Sequence, residues 1–283
     1  MHKRLSRRSF HALVASAAVL ALTACSTSSV LEIPEPQADP QKYAAIVIDA
    51  KDGSVLYSRA ADQLRYPASL TKMMTLYLMF EALESGRLSR NSQIPISANA
   101  ARKPASKLYL KAGQSIDVDT AIRSLVVKSA NDVATGVAEH LAGSEAAFAR
   151  QMTAKGRQLG MRSTVFTNAS GLPDTKMRTT ARDMAVLSLA LRRDFPQYYS
   201  YFSLRSFQHG GKQITGHNKV LEQVAGADGI KTGYVRASGY NLATSMRRGG
   251  KSLVAVVMGG DSGRARDAHM AQLLSASLKK ASR

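Results

Sequence analysis

The 283-residue sequence predicts an α/β fold in which a single antiparallel sheet, built from both ends of the chain, is flanked by helices and carries a mostly helical subdomain. Three observations predict it. Strand-like runs lie near residue 50 and again beyond residue 228, a long helical pattern separates them, and each strand group is followed by a helix.

Residues 43–48 and 55–59 read as two strands joined through Asp52-Gly53, the strongest short hairpin signal. Residues 69–85 are nearly all apolar and end before Gly86, a residue suited to closing a helix. A helix apolar on every side has to be buried. From about 88 to 207 the pattern is mostly helical, clearest over 118–127 and 133–141, with Asn131 and Asp132 placed to cap the second of these. Residues 229–234, 240–246 and 253–258 read as three strands separated by Gly-containing turns, and a helix over about 265–280 closes the chain. No internal repeat is present.

Upstream of residue 43 the sequence reads as an address and a tether. Lys3, Arg4, Arg7 and Arg8 precede the uncharged apolar stretch 12–24, the layout of an export signal. The stretch is shorter than the ~20 apolar residues a membrane-spanning helix needs. It ends on Leu22-Thr23-Ala24-Cys25, which resembles the lipobox of bacterial lipoproteins and implies a lipid on Cys25, the one cysteine of the chain. Ser26 follows it, which in a Gram-negative cell would resemble outer-membrane sorting, and Ser6-Arg7-Arg8-Ser9-Phe10 resembles a twin-arginine export signal. Pro34, Pro36 and Pro40 stiffen the stretch up to residue 42 into an extended tether of about 3 Å per residue. The expected division is therefore 1–24 signal, 25–42 tether and 43–283 folded domain, giving an exported, periplasmic protein anchored to a membrane by its N-terminal lipid.

Composition narrows the chemistry. A 45% hydrophobic content suffices for a large core. The 39 Lys and Arg against 20 Asp and Glu, net +19, favour anionic surfaces such as a wall polymer or acidic lipid, and export argues against nucleic acid. One cysteine and six unpaired histidines offer no metal-ligand spacing, and no glycine-rich phosphate loop is present, so neither metal nor cofactor is expected.

Ser69 and Lys72 stand three residues apart and share one helix face. A serine is inert until a base takes its proton. A lysine serves only when neutral, which burial in an apolar helix and a second nearby cation both favour. The spacing alone is weak, since Ser277 and Lys280 repeat it in the tail and S-x-N recurs at Ser89, Ser97 and Ser129. Lys231-Thr232-Gly233 occurs once, on a predicted strand. One ordered set emerges: Ser69 with Lys72, then Ser129-Ala130-Asn131 between helices, then Lys231-Thr232-Gly233. That is the order of motifs in the penicillin-recognising serine enzymes.

From residue 43 to about 274 the chain resembles the D-alanyl-D-alanine carboxypeptidases, the low-molecular-mass penicillin-binding proteins. Pro67-Ala68-Ser69-Leu70-Thr71-Lys72-Met73-Met74-Thr75, Ser129-Ala130-Asn131-Asp132-Val133-Ala134, Thr164 through Pro173, and Asp228-Gly229-Ile230-Lys231-Thr232-Gly233-Tyr234 with Gly239-Tyr240-Asn241-Leu242 carry the resemblance. It implies a β-lactamase/DD-peptidase-like fold and a serine D-Ala-D-Ala carboxypeptidase that trims peptidoglycan stem peptides through an acyl-enzyme on Ser69 and is acylated by β-lactams. It further implies Lys72 as base, Ser129 as proton relay and Asn131 on the substrate amide. Lys231 would supply positive potential, Thr232 and Arg266 would hold the terminal carboxylate, Gly233 would let substrate lie along the strand edge, and the N–H groups of Ser69 and Tyr234 would form the oxyanion hole. Three other readings share these residues. An endopeptidase would cut wall cross-links; a β-lactamase would need a deacylating carboxylate where the chain has Phe166-Thr167-Asn168; a non-catalytic wall-binding lipoprotein would keep the fold alone.

Overall fold

Strands β1 (Ala44–Asp49) and β2 (Val55–Arg59) form the first hairpin, turning through Gly53, whose φ of 79° suits glycine. A 3₁₀ turn (Ala68–Thr71) leads into helix α1 (Lys72–Glu84). Strand β3 (Gln93–Pro95), the short helix α2 (Ala98–Ala101) and strand β4 (Ser115–Asp117) follow, with β3 and β4 paired. Helix α3 (Val118–Arg123) widens into a π-turn (Ser124–Lys128) and is succeeded by α4 (Asn131–Ala142), α5 (Glu145–Leu159) and α6 (Ala181–Asp194). A hairpin of β5 (Ser206–His209) and β6 (Lys212–Thr215) and the short α7 (Val220–Gln223) precede three long strands, β7 (Ala227–Val235), β8 (Gly239–Arg248) and β9 (Lys251–Gly260). Helix α8 (Gly263–Lys280) ends the fold. This computed structural model describes residue 36 and residues 38–282, so the export signal, Cys25 and most of the tether lie outside the described residues.

The main sheet has the order β2-β1-β9-β8-β7, all antiparallel. Both chain ends thus meet in one sheet, as the pattern predicts, and β7 is left at an edge. Alternation along the strands divides the core in two. Ala44, Ile46, Ile48, Val254, Val256 and Met258 face α1, α6 and the helical region, whereas Ala45, Val47, Leu253, Ala255 and Val257 pack under Met270, Leu273 and Leu274 of α8. A sheet buried on both faces shows runs of apolar residues instead of alternation.

Three sequence expectations need correction. The segment 88–207 is not wholly a helical excursion: α6 returns to cover the sheet, β3 and β4 form a hairpin inside it, and β5 begins at Ser206. Asn131 and Asp132 are not the cap of α4, whose N-cap is Ala130 without a side-chain bond. The Asp132 carboxylate instead accepts N–H bonds from Leu108 at 3.1 Å and Leu110 at 3.2 Å, as well as from Val133, pinning the loop that overhangs the cleft described below. Finally, Ser69 lies in the 3₁₀ turn ahead of α1 and not on the α-helix itself.

Candidate active site

The turn that carries Ser69 is clamped from three sides. A Cβ on Gly171 would stand 1.8 Å from the Ala68 carbonyl oxygen, and one on Gly233 would stand 3.0 Å from the Ser69 nitrogen, so both backbones press directly on the turn. Asn241, fully buried on β8, donates through Nδ2 to the carbonyls of Tyr66 (3.0 Å) and Pro67 (3.2 Å) and accepts from Gly259 N–H at 3.0 Å. One amide thereby ties the turn to two strands. Asn241→Leu strands these groups in a dry environment and is expected to destabilise the fold by about 3 kcal/mol, read as a lower Tm.

Lys72 is wholly buried, and its Nζ has three neighbours: Ser69 Oγ at 3.2 Å, Asn131 Oδ1 at 2.8 Å and the Ser170 carbonyl at 2.6 Å. The Asn131 amide orientation follows from its Nδ2, which donates to the Pro104 carbonyl at 2.9 Å and leaves Oδ1 toward the lysine. Asn131 Oδ1 and the Ser170 carbonyl can only accept. A neutral amine has two N–H groups and one lone pair, so those acceptors take both hydrogens and the lone pair faces the Ser69 hydroxyl. Burial holds the Lys72 pKa well below its ordinary value, the charge of Lys231 pushes the same way, and Asp132 and Glu145 oppose them. Electrostatics thus favours the neutral amine, and in that form the two acceptors turn its lone pair toward Ser69.

Ser129 ends the π-turn with φ 61° in the left-handed region, which turns the chain abruptly toward α4. Its hydroxyl is buried and meets no hydrogen-bond partner among the described residues, leaving it available to a ligand. Opposite, Lys231 is buried on β7 and donates to the Thr232 carbonyl at 2.9 Å. Burial, reinforced by the Arg266 charge, brings its pKa down to about 7. A ligand carboxylate beside it would favour the charged form.

Ser69, Ser129, Asn131, Thr232, Gly233, Tyr234 and Arg266 line one cleft of about 570 Å³. Two of them differ in detail from expectation. The missing side chain of Gly233 points at the Ser69 turn, so glycine also serves the close packing of β7 against the nucleophile. Arg266 is buried, with Nε (2.9 Å) and Nη2 (2.7 Å) both donating to Asp267 Oδ1 and Nη1 to the Asn241 carbonyl at 3.3 Å, so any carboxylate it binds must share the guanidinium with Asp267. Tyr234 is half exposed and stacks on Tyr240, ring centroids 4.3 Å apart, at the lip of the cleft. Ser277 and Lys280, the repeat of the serine–lysine spacing, lie in α8 outside this cleft.

Sequence reasoning passed over several contributors. Ser170 acts through its backbone carbonyl, which no side-chain pattern reports. Asn168 shapes that loop: its Oδ1 accepts from the N–H groups of Ser170 and Gly171 and its Nδ2 donates to the Leu172 carbonyl. Glu145 braces the same loop through Ala169 N–H at 3.2 Å and bonds Lys103 at 2.6 Å. Lys219 adds a positive group to the cleft wall, and His217 beside it is held toward its neutral form by burial and the Lys231 charge, which lower its pKa.

Residues 32–262 match the family model described as D-alanyl-D-alanine carboxypeptidase. The chain is 35% identical over 246 residues to D-alanyl-D-alanine carboxypeptidase DacA of Escherichia coli, an alignment covering 84% of this chain and 60% of that protein. It therefore spans about 60% of the length of that curated relative. It is 30% identical to DacF of Bacillus subtilis, with 81% and 60% covered. Among solved structures it superposes on penicillin binding protein 5 from Haemophilus influenzae with TM-score 0.81 and 32% identity, covering 86% of this chain and 71% of that one. It also superposes on penicillin-binding protein D2 from Listeria monocytogenes in its ampicillin-bound form, with TM-score 0.78 and 28% identity, covering 87% and 100%.

Proposed function

Because the chain belongs to the D-alanyl-D-alanine carboxypeptidase family, we propose that it is a serine-type D-Ala-D-Ala carboxypeptidase acting on peptidoglycan stem peptides and acylated by β-lactams. The observation that carries this reading is the wholly buried Lys72 amine, 3.2 Å from the Ser69 hydroxyl, whose two other neighbours can only accept hydrogens.

The reaction follows from these positions. Lys72 takes the Ser69 proton as Oγ adds to the carbonyl between the two D-alanines, and the N–H groups of Ser69 and Tyr234 receive the oxyanion. Collapse breaks the C–N bond. The proton on Lys72 passes through the Ser129 hydroxyl to the leaving amine, releasing D-alanine and an ester on Ser69. Water, deprotonated by Lys72, then cleaves the ester and restores the hydroxyl. Asn131 orients the substrate amide, while Lys231, Thr232 and Arg266 hold the terminal carboxylate.

Release of a penicilloyl group should be slow. Phe166-Thr167-Asn168 supplies no deacylating carboxylate, and Asp267, the one carboxylate among the described residues lining the cleft, holds the Arg266 guanidinium through Oδ1. The penicilloyl protein is expected to survive denaturing electrophoresis, and rapid turnover of benzylpenicillin would instead favour a β-lactamase.

The pH dependence has a definite sign. Lys72 works unprotonated, so acylation falls as pH drops through its lowered pKa. Removing the neighbouring charge with Lys231→Met raises that pKa and moves the acid limb to higher pH. An acid limb that stays in place or moves lower would contradict the coupling.

The N-terminal lipobox supports an exported protein tethered to a membrane through Cys25. In cells fed labelled palmitate, the native chain should incorporate label and Cys25→Ala should not. Release of free D-alanine from a stem pentapeptide, absent with Ser69→Ala, tests the activity itself.

A further inference from the structure

Behind the cleft, between β7, α7 and the π-turn, lies a second, much smaller cavity. Val126, Val127, Phe202 and Ile230 provide its apolar wall, and Asn218, Lys231 and Thr232 its polar one. The space open to a water centre is about 10 Å³, room for one molecule. Asn218 is notable here because both polar atoms of its side-chain amide are buried and neither has a hydrogen-bond partner among the described residues. Buried amides without partners are rare, and each one left so costs on the order of 1–3 kcal/mol. Lys231 is short of partners in the same place: its ammonium carries three donors, and the Thr232 carbonyl accepts one.

We propose that Asn218 is a positioning residue for Lys231, acting through a single water held in the cavity that both residues line. The water accepts from the Lys231 ammonium and donates to Asn218 Oδ1, while Asn218 Nδ2 donates to the water oxygen or lies against the cavity wall. This satisfies the amide oxygen and a second lysine donor in one step. It also stabilises the charged form of a lysine that burial and Arg266 both press toward neutrality. Asn218 thereby sets how much of the Lys231 charge is available to capture the substrate carboxylate. The inference rests on the carboxypeptidase reading for its functional consequence but not for its physical content.

The remaining ionisable groups around Lys231 are Lys72, Lys128, Lys219 and Arg266 on the cleft side and Arg205, His217 and Glu222 along the cavity wall. None is altered by substitution at Asn218, so a shift on mutation reports the amide. Lysine side chains labelled with ¹³C and ¹⁵N, with Lys231→Arg to assign the resonance, give the Lys231 titration directly by NMR. Asn218→Leu fills the space without polar atoms and should lower the Lys231 pKa by about half a unit or more, whereas Asn218→Asp supplies an anion and should raise it. In kinetics on a D-Ala-D-Ala peptide at neutral pH, Asn218→Leu should raise KM several-fold with little change in kcat, a defect that milder pH relieves on the acid side. Opposite shifts for Leu and Asp establish the role. Equal shifts, or none in folded variants, overturn it; should the Leu variant fail to fold, an unshifted Asp variant alone does so. If native protein releases no D-alanine yet the NMR shifts appear, the carboxypeptidase reading fails and the positioning role stands.

Discussion

Lys72→Met should slow acylation of Ser69 by about 10³- to 10⁴-fold, the upper range of what a positioned general base supplies. Methionine nearly matches the lysine stem in length and apolar character, so the substitution removes the amine while leaving the packing around α1 largely in place. The measurement is the second-order rate of reaction with a fluorescent penicillin. A loss below tenfold would show that another group activates Ser69. Lys72→Arg makes the complementary case, since a guanidinium keeps its proton throughout the working range and cannot act as base even though it fills the space. The rate should not recover at high pH in either variant.

Gly171→Ala should slow acylation by about 10²-fold through geometry alone. The added methyl would meet the Ala68 carbonyl oxygen at 1.8 Å in a backbone already at φ 83°. Neither group can yield easily, because the opposing atom is backbone and Ala68 itself sits at φ 48°. Left-handed strain of about 1–2 kcal/mol adds to the overlap, and relief requires the Ser69 turn or the Ser170 loop to move. A displacement near 1 Å at a reacting centre costs on the order of 10²-fold in rate. Thermal unfolding should show a lower Tm, and penicillin acylation should fall by about that factor even at temperatures where the variant is fully folded. Ala substitution at Gly210, where a Cβ would meet no neighbouring atom, provides the control for positive φ without collision.

Much of this architecture is legible before any coordinates. The apolar stretch of α1 announces a buried helix because it has no polar face, and the three carboxyl-terminal strands announce a meander because glycines separate them at strand-length intervals. The role of α6 was not legible. An amphipathic helix shows that one face is covered, not whether helix or sheet covers it, and here the cover is β1 and β9. Asn131 and Asp132 show the opposite limit. Both suit a helix start, yet the Asn131 oxygen is taken by the buried Lys72 amine and the Asp132 carboxylate by two loop N–H groups, and Ala130 stands at the cap position instead. At the site, the serine, the lysine and the later motifs are recognisable because side-chain chemistry repeats in sequence. The Ser170 carbonyl and the pressure of Gly171 and Gly233 on the nucleophile turn are backbone features, written in no side chain. Arg266 is visible as a cation, but its engagement with Asp267 appears only in three dimensions.

A serine peptidase of this kind works through one bond, the ester between Ser69 Oγ and an acyl group. Intact-mass spectrometry of the purified protein after brief exposure to benzylpenicillin, followed by peptide mapping, should show one added penicilloyl group per chain on the peptide containing Ser69. Ser69→Ala should show none. A native protein that gains no mass, or gains it on Ser129 or a lysine, would contradict the assignment.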